Sequence, residues 1–105
     1  MIIAYNKLVR DRIPEIIEKD GKTCVCRKIT NRTELIKLLE EKLLEELDEF
    51  RSAHNRDELA DILEVVFALA DNLDISINSL LEARQTKAAK RGGFTKGLFL
   101  ETVQE

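Results

Sequence analysis

The sequence predicts a mainly α-helical domain built on an antiparallel helical hairpin, and three observations carry that expectation. Apolar residues recur every three or four positions in two long stretches, first Ile36, Leu39, Leu43, Leu47 and Phe50, then Leu59, Ile62, Val66, Leu69 and Leu73. The connection around Ala53-His54-Asn55 is so short that the two helices must be antiparallel neighbours. The chain also has 44% hydrophobic and 35% charged residues, enough for a core and too charged for a membrane interior. Its 105 residues fit one domain, 1–105, because a division would leave two marginal cores.

Pro14, the only proline, precedes Glu15-Ile16-Ile17-Glu18-Lys19 and suits the first turn of a short helix, which Asp20-Gly21 ends. From Thr23 to Ile29 the side chains alternate loosely, which predicts a strand. Asn31-Arg32-Thr33-Glu34 reads as the start of the first long helix, ending near Ala53-His54-Asn55. Asp57 is expected to cap the second. Ser76 or Ser79 opens a third, through Leu80, Leu81, Ala83, Arg84, Lys87 and Ala88, which must stop at Gly92-Gly93 because paired glycines suit left-handed backbone. The run Leu98-Phe99-Leu100 is β-compatible and could pair with Thr23–Ile29 in a small two-stranded sheet beside the helices.

No apolar run approaches the ~18 residues of a membrane span, and Met1–Asn6 is too short for a signal-peptide core, so a cytoplasmic protein with no membrane partner is expected. A net charge of −3 argues against a nucleic-acid polymer as partner while leaving room for a local basic pocket. Cys24 and Cys26 match no zinc or redox spacing and read as reduced thiols. His54 falls at the helix–helix turn, where a surface role is expected, and as the single histidine it would have to serve any Ser–His–Asp or Cys–His arrangement. Arg91-Gly92-Gly93-Phe94 follows a helix and lacks GxxxxGK[ST], which excludes a P-loop.

The segments Lys42-Leu43-Leu44-Glu45-Glu46-Leu47-Asp48-Glu49 and Asp57-Glu58-Leu59-Ala60-Asp61 carry an ExxE and an ExxD pair. At about 100° per residue, Glu46 and Glu49 lie about 60° apart on one helix, as do Glu58 and Asp61 on the next. Glu46 sits beside Leu39 and Leu43 at the edge of the apolar stripe, whereas Glu41, Glu45 and Asp48 fall mostly outside it. Packed antiparallel, the hairpin brings both pairs together. Four partly buried carboxylates repel one another unless a cation joins them. Hard oxygen ligands suit Mg²⁺ or Mn²⁺, which keep positions for water and substrate phosphates. A Glu-rich helix surface ordinarily means only solvation and i,i+4 pairing, and what sets these residues apart is their position at the stripe edge on two consecutive helices.

Positive residues concentrate toward the two ends: Lys7, Arg10 and Arg12 before Pro14, and Arg84, Lys87, Lys90 and Arg91 before Gly92-Gly93. Lys87 and Arg91 share a helical face at i,i+4 and Arg84 precedes Lys87 by three, so the three can meet one polyphosphate ligand. Lys90 is read instead as a cation favoured by the helix dipole at a C-terminus.

Taken together, Tyr5-Asn6-Lys7-Leu8-Val9-Arg10-Asp11-Arg12-Ile13-Pro14, Glu45-Glu46-Leu47-Asp48-Glu49, Glu58-Leu59-Ala60-Asp61 and Lys87-Ala88-Ala89-Lys90-Arg91-Gly92-Gly93-Phe94 resemble the MazG-like branch of the all-α NTP pyrophosphohydrolases, related to phosphoribosyl-ATP pyrophosphohydrolase. The resemblance spans nearly the whole chain. It implies Mg²⁺-dependent hydrolysis of a nucleoside triphosphate between the α- and β-phosphates, giving a nucleoside monophosphate and pyrophosphate, in the manner of house-cleaning enzymes that clear non-canonical nucleotides. It implies metal ligands at Glu46, Glu49, Glu58 and Asp61, which are also the catalytic set, and phosphate binding at Lys87 and Arg91, with Lys7 and Arg10 matching the opening motif. It further implies a homodimer or homotetramer. The alternatives are a non-catalytic nucleotide-binding or protein-interaction module, disfavoured by the complete acidic motifs, and phosphoribosyl-ATP hydrolysis, disfavoured by the Leu8–Glu15 opening.

Overall fold

The computed structural model describes all 105 residues and contains four helices, α1 (Ile13–Lys19), α2 (Arg32–Ala53), α3 (Arg56–Asn72) and α4 (Ile77–Arg91). Local chemistry accounts for most of their limits. Pro14 lies in the first turn of α1, where its missing N–H costs nothing. The side-chain oxygen of Asn31 accepts from the Glu34 N–H at 2.9 Å and caps α2. At the other end of α2, His54 takes a left-handed backbone (φ 46°) and its N–H returns to the Phe50 carbonyl at 2.7 Å. Its ring stands edge-on to Phe50, 5.0 Å between centroids. The histidine is exposed, as expected.

The cap of α3 differs from expectation. Asn55, not Asp57, has the extended backbone a cap requires, and its side chain accepts from the Glu58 N–H at 2.9 Å. Asp57 lies within the first turn, where its charge complements the helix dipole instead. Helix α4 is capped by Ser76, whose hydroxyl accepts from the Ser79 N–H at 3.1 Å. It stops at Gly92, whose φ of 82° a side chain would resist.

The turn between α2 and α3 is only His54-Asn55, so the helices double back as a hairpin. The Arg32 guanidinium at the start of α2 donates to both carboxylate oxygens of Asp74, just past α3, at 3.1 and 3.3 Å. That bidentate pair joins the ends that an antiparallel arrangement brings together. The buried residues are Leu39, Glu46, Val65 and Ala70, all on the hairpin. On α3 the inward face runs through Glu58, Asp61, Ile62, Val65 and Leu69, and Leu59 and Leu73 of the predicted stripe are 52% and 54% exposed. A helix apolar on more than one side has one side that its hairpin partner does not cover.

The strand predicted over Thr23–Ile29 does not form, and neither does the small sheet it could have joined. No residue is in a β-strand, and no backbone hydrogen bond joins 23–29 to 98–100. Val25, Leu98, Phe99 and Leu100 are highly exposed, so neither segment has an apolar surface to pack on, and an isolated two-stranded pair is marginal in water. Arg27 instead pairs with Glu34 at 3.0 Å, which ties the first segment to the start of α2. Cys24 and Cys26 are free thiols.

The chain is elongated, 61 × 32 × 24 Å, with a radius of gyration of 18.2 Å, against about 13 Å for a compact domain of this length. No helix is long and apolar enough to cross a membrane.

Candidate metal centre

Glu46 and Glu49 occupy the last turns of α2, and Glu58 and Asp61 the first turns of α3. The two-residue turn sets these turns side by side. Each of the four carboxylates offers one oxygen, and the four oxygens lie within 4.8 Å of one another. The helical spacing read from the sequence is therefore converted into a single cluster by the hairpin. Glu46 is buried, at 6% exposure, Glu58 and Asp61 are half-buried, and Glu49 is open to solvent.

The cluster is incompletely satisfied. Oε2 of Glu46 and Oε2 of Glu58 are buried without a hydrogen-bond partner. Such orphaned acceptors are rare in folded chains, because each forfeits its hydration for nothing in return. The Glu46 carboxyl is raised above its ordinary value, first by burial and then by the Glu49 carboxyl beside it, with Lys42 opposing. Its neighbour Glu45 goes the other way: burial pushes it up, but hydrogen bonds from Lys7 and Lys42 outweigh burial and hold it below its ordinary value.

Three cations surround these groups. Lys42 Nζ lies 3.1 Å from Glu45 Oε2 and 3.4 Å from Glu46 Oε1. Lys7 Nζ lies 3.0 Å from Glu45 Oε1, and that hydrogen bond and charge raise the lysine above its usual value, with smaller contributions from Glu49 and Glu46. Arg10 donates to Asp61 Oδ1 at 2.7 Å. Five carboxylates against three cations leave two negative charges uncompensated when all are ionised, the charge of one divalent ion. An all-oxygen donor set with two orphaned acceptors fits a hard cation of the Mg²⁺ or Mn²⁺ kind and offers nothing to a thiophilic metal.

Of the basic residues singled out in the sequence, Lys7 and Arg10 reach this cluster. Lys87 and Arg91 do not: both are exposed on α4, and their side chains make no ion pair or hydrogen bond to any residue of the chain. Glu45, placed outside the stripe by its spacing, is half-buried because two lysines fold over it. Lys42 had no role in the sequence, and its i,i+3 and i,i+4 spacing to Glu45 and Glu46 was the signal for it. An open groove of about 550 Å³ between α3 and α4, lined by residues including Phe67, Asp71, Ile75 and Ile77, contains none of the predicted site residues.

No family model matches this chain. No solved structure matches it either. A Mycolicibacterium smegmatis protein described as uncharacterized is 47% identical to it over 51 residues, 49% of this chain and 51% of the relative. The chain thus spans about half the length of the curated relative it matches.

Proposed function

We propose that the protein is a Mg²⁺-dependent nucleoside triphosphate pyrophosphohydrolase that cleaves between the α- and β-phosphates, releasing a nucleoside monophosphate and pyrophosphate. One observation carries the metal-dependent part: four carboxylates from two helices converge within 4.8 Å around a buried glutamate with an orphaned oxygen. Assignment of the bond and of the nucleotide rests on the resemblance of the four sequence segments to MazG-like enzymes, as does the house-cleaning role in the cytoplasm.

In this reading Glu46, Glu49, Glu58 and Asp61 hold the ion. When bound, Mg²⁺ supplies Lewis-acid polarisation of the phosphates and charge stabilisation of the leaving pyrophosphate. The protein's own groups do the rest. Glu49, the most exposed of the four, is the carboxylate best placed to take a proton from the attacking water. Glu45 is a poor base, because a lysine bonds to each of its oxygens and holds it ionised. Lys87 and Arg91 bind the phosphates, and Lys7 and Arg10 border the same anion.

Because the side chains of Lys87 and Arg91 make no ion pair or hydrogen bond within the chain, the reading requires a second copy to deliver them. The exposed area supports this. The chain exposes 9798 Å², against about 6,000 Å² for a compact monomer of its mass. Obligate interfaces cover about 1,000–2,500 Å² on each chain, so an excess of nearly 4,000 Å² per chain is ample for a homodimer or homotetramer.

The deciding experiment incubates the purified protein with canonical and modified nucleoside triphosphates, with and without Mg²⁺, and separates the products by chromatography. Monophosphate and pyrophosphate, formed only with the metal, are expected. Diphosphate and orthophosphate would overturn the bond assignment, and no turnover of any triphosphate would remove the enzyme reading.

A further inference from the structure

The N-terminal segment crosses the turn end of the hairpin and grips both helices, but its two cations choose different kinds of partner. Lys7 pairs with Glu45 of α2, which is outside the four-carboxylate set, whereas Arg10 pairs with Asp61 of α3, which belongs to it. Leu8 and Val9 between them are half-buried and anchor the strap, and Ile13 N–H closes a turn onto the Arg10 carbonyl at 3.1 Å. The Arg10 backbone is thus fixed while its side chain, 55% exposed, has room to swing toward solvent.

We propose that Arg10 and the divalent ion are alternative partners of Asp61, so that ion binding releases the guanidinium to meet a polyphosphate anion above the cluster. The inference rests on the divalent-metal reading of the four carboxylates. Its physical basis is that a doubly charged ion among these oxygens repels a guanidinium 2.7 Å from one of them. Lys7 keeps its partner, since Glu45 is not a ligand. Arg10 is therefore a binding residue whose loss has opposite effects on two ligands: its side chain opposes the ion in the nucleotide-free protein and favours the anion in the loaded one. A planar guanidinium suits both tasks, matching a carboxylate and a phosphate with the same fork of donors.

The test titrates Mn²⁺ calorimetrically into nucleotide-free protein, native, Arg10→Gln and Lys7→Gln, each first checked for helical content by circular dichroism. An exposed ion pair is worth enough for Arg10→Gln to bind Mn²⁺ about three- to fivefold more tightly. A smaller gain is expected for Lys7→Gln. With Mn²⁺ saturating, a non-hydrolysable α,β-methylene triphosphate should bind Arg10→Gln about tenfold more weakly than native, and Arg10→Lys should recover part of that loss. Equal gains in both glutamine variants would reduce the effect to a missing nearby charge and overturn the exchange, as would unchanged or weaker Mn²⁺ binding by Arg10→Gln. If native protein and variants alike bind no Mn²⁺, the underlying metal reading itself falls.

Discussion

The α2–α3 hairpin and helix α4 with the segment beyond it are built on opposite terms. In the hairpin, charges find partners across the chain: Lys7 with Glu45, Arg10 with Asp61, Arg32 with Asp74. Every buried residue is there. Helix α4 buries none, and Arg84, Lys87, Lys90 and Arg91 along it form no ion pair. Beyond it Phe94, Leu98, Phe99 and Leu100 are all highly exposed. One region holds surplus negative charge on a packed scaffold, and the other holds surplus positive charge and apolar surface on an arm. Their deficits are complementary, and a single chain is too elongated to satisfy one with the other.

The largest effect should come from the hairpin's acids. Asp61→Asn is expected to abolish turnover while circular dichroism shows the helices intact, and full turnover in that variant would separate the cluster from the chemistry. Next comes the arm. Lys87→Ala should weaken triphosphate binding about tenfold, read as a rise in KM. Mixing Lys87→Ala with Asp61→Asn chains tests whether the arm serves a neighbour's cluster, because only a site shared between copies regains activity on mixing. No recovery under exchange conditions would confine each site to one chain.

A third test concerns pH in the metal-free protein. The Glu46 carboxyl is raised in the folded chain, so its contribution to stability is full below the ordinary carboxylate value of 4.5 and is lost as pH rises through the folded value. Glu46→Gln should therefore raise the melting temperature in EDTA at pH 7 and change it little at pH 4. Equal shifts at the two pH values would mean that the buried charge is not the cause. The smallest effects belong to the caps, where replacing the side chain costs about 1 kcal/mol. Asn55→Ala should lower the global denaturation midpoint, since α3 is half of the core. Ser76→Ala should speed amide exchange mainly within α4, and equal global losses would erase the distinction between scaffold and arm.

Much of the acidic cluster was legible because it depends on local periodicity. Glu46 with Glu49 and Glu58 with Asp61 share helical faces by spacing alone, and the short His54-Asn55 connection permits only one way to bring those faces together. The cap of α3 was misread because Asp57 and Asn55 are both good cap residues, and only backbone geometry distinguishes them. The sheet failed for a similar reason: Thr23–Ile29 and Leu98–Leu100 have strand-like composition, but a strand exists only with a partner and a surface, and the chain supplies neither.

The sequence by itself determined the helices, their antiparallel order and the four acids on facing turns, because each follows from interactions within a few residues. Only the tertiary structure decided the electrostatic state of the cluster. It brought Lys7 over Glu45 and Arg10 onto Asp61 across 38 and 51 residues of chain. It also buried Glu46 rather than leaving it at an edge, and stranded Lys87 and Arg91 on an arm. Those outcomes depend on which surfaces meet and which are excluded from water, and no residue's neighbours in sequence contain that information.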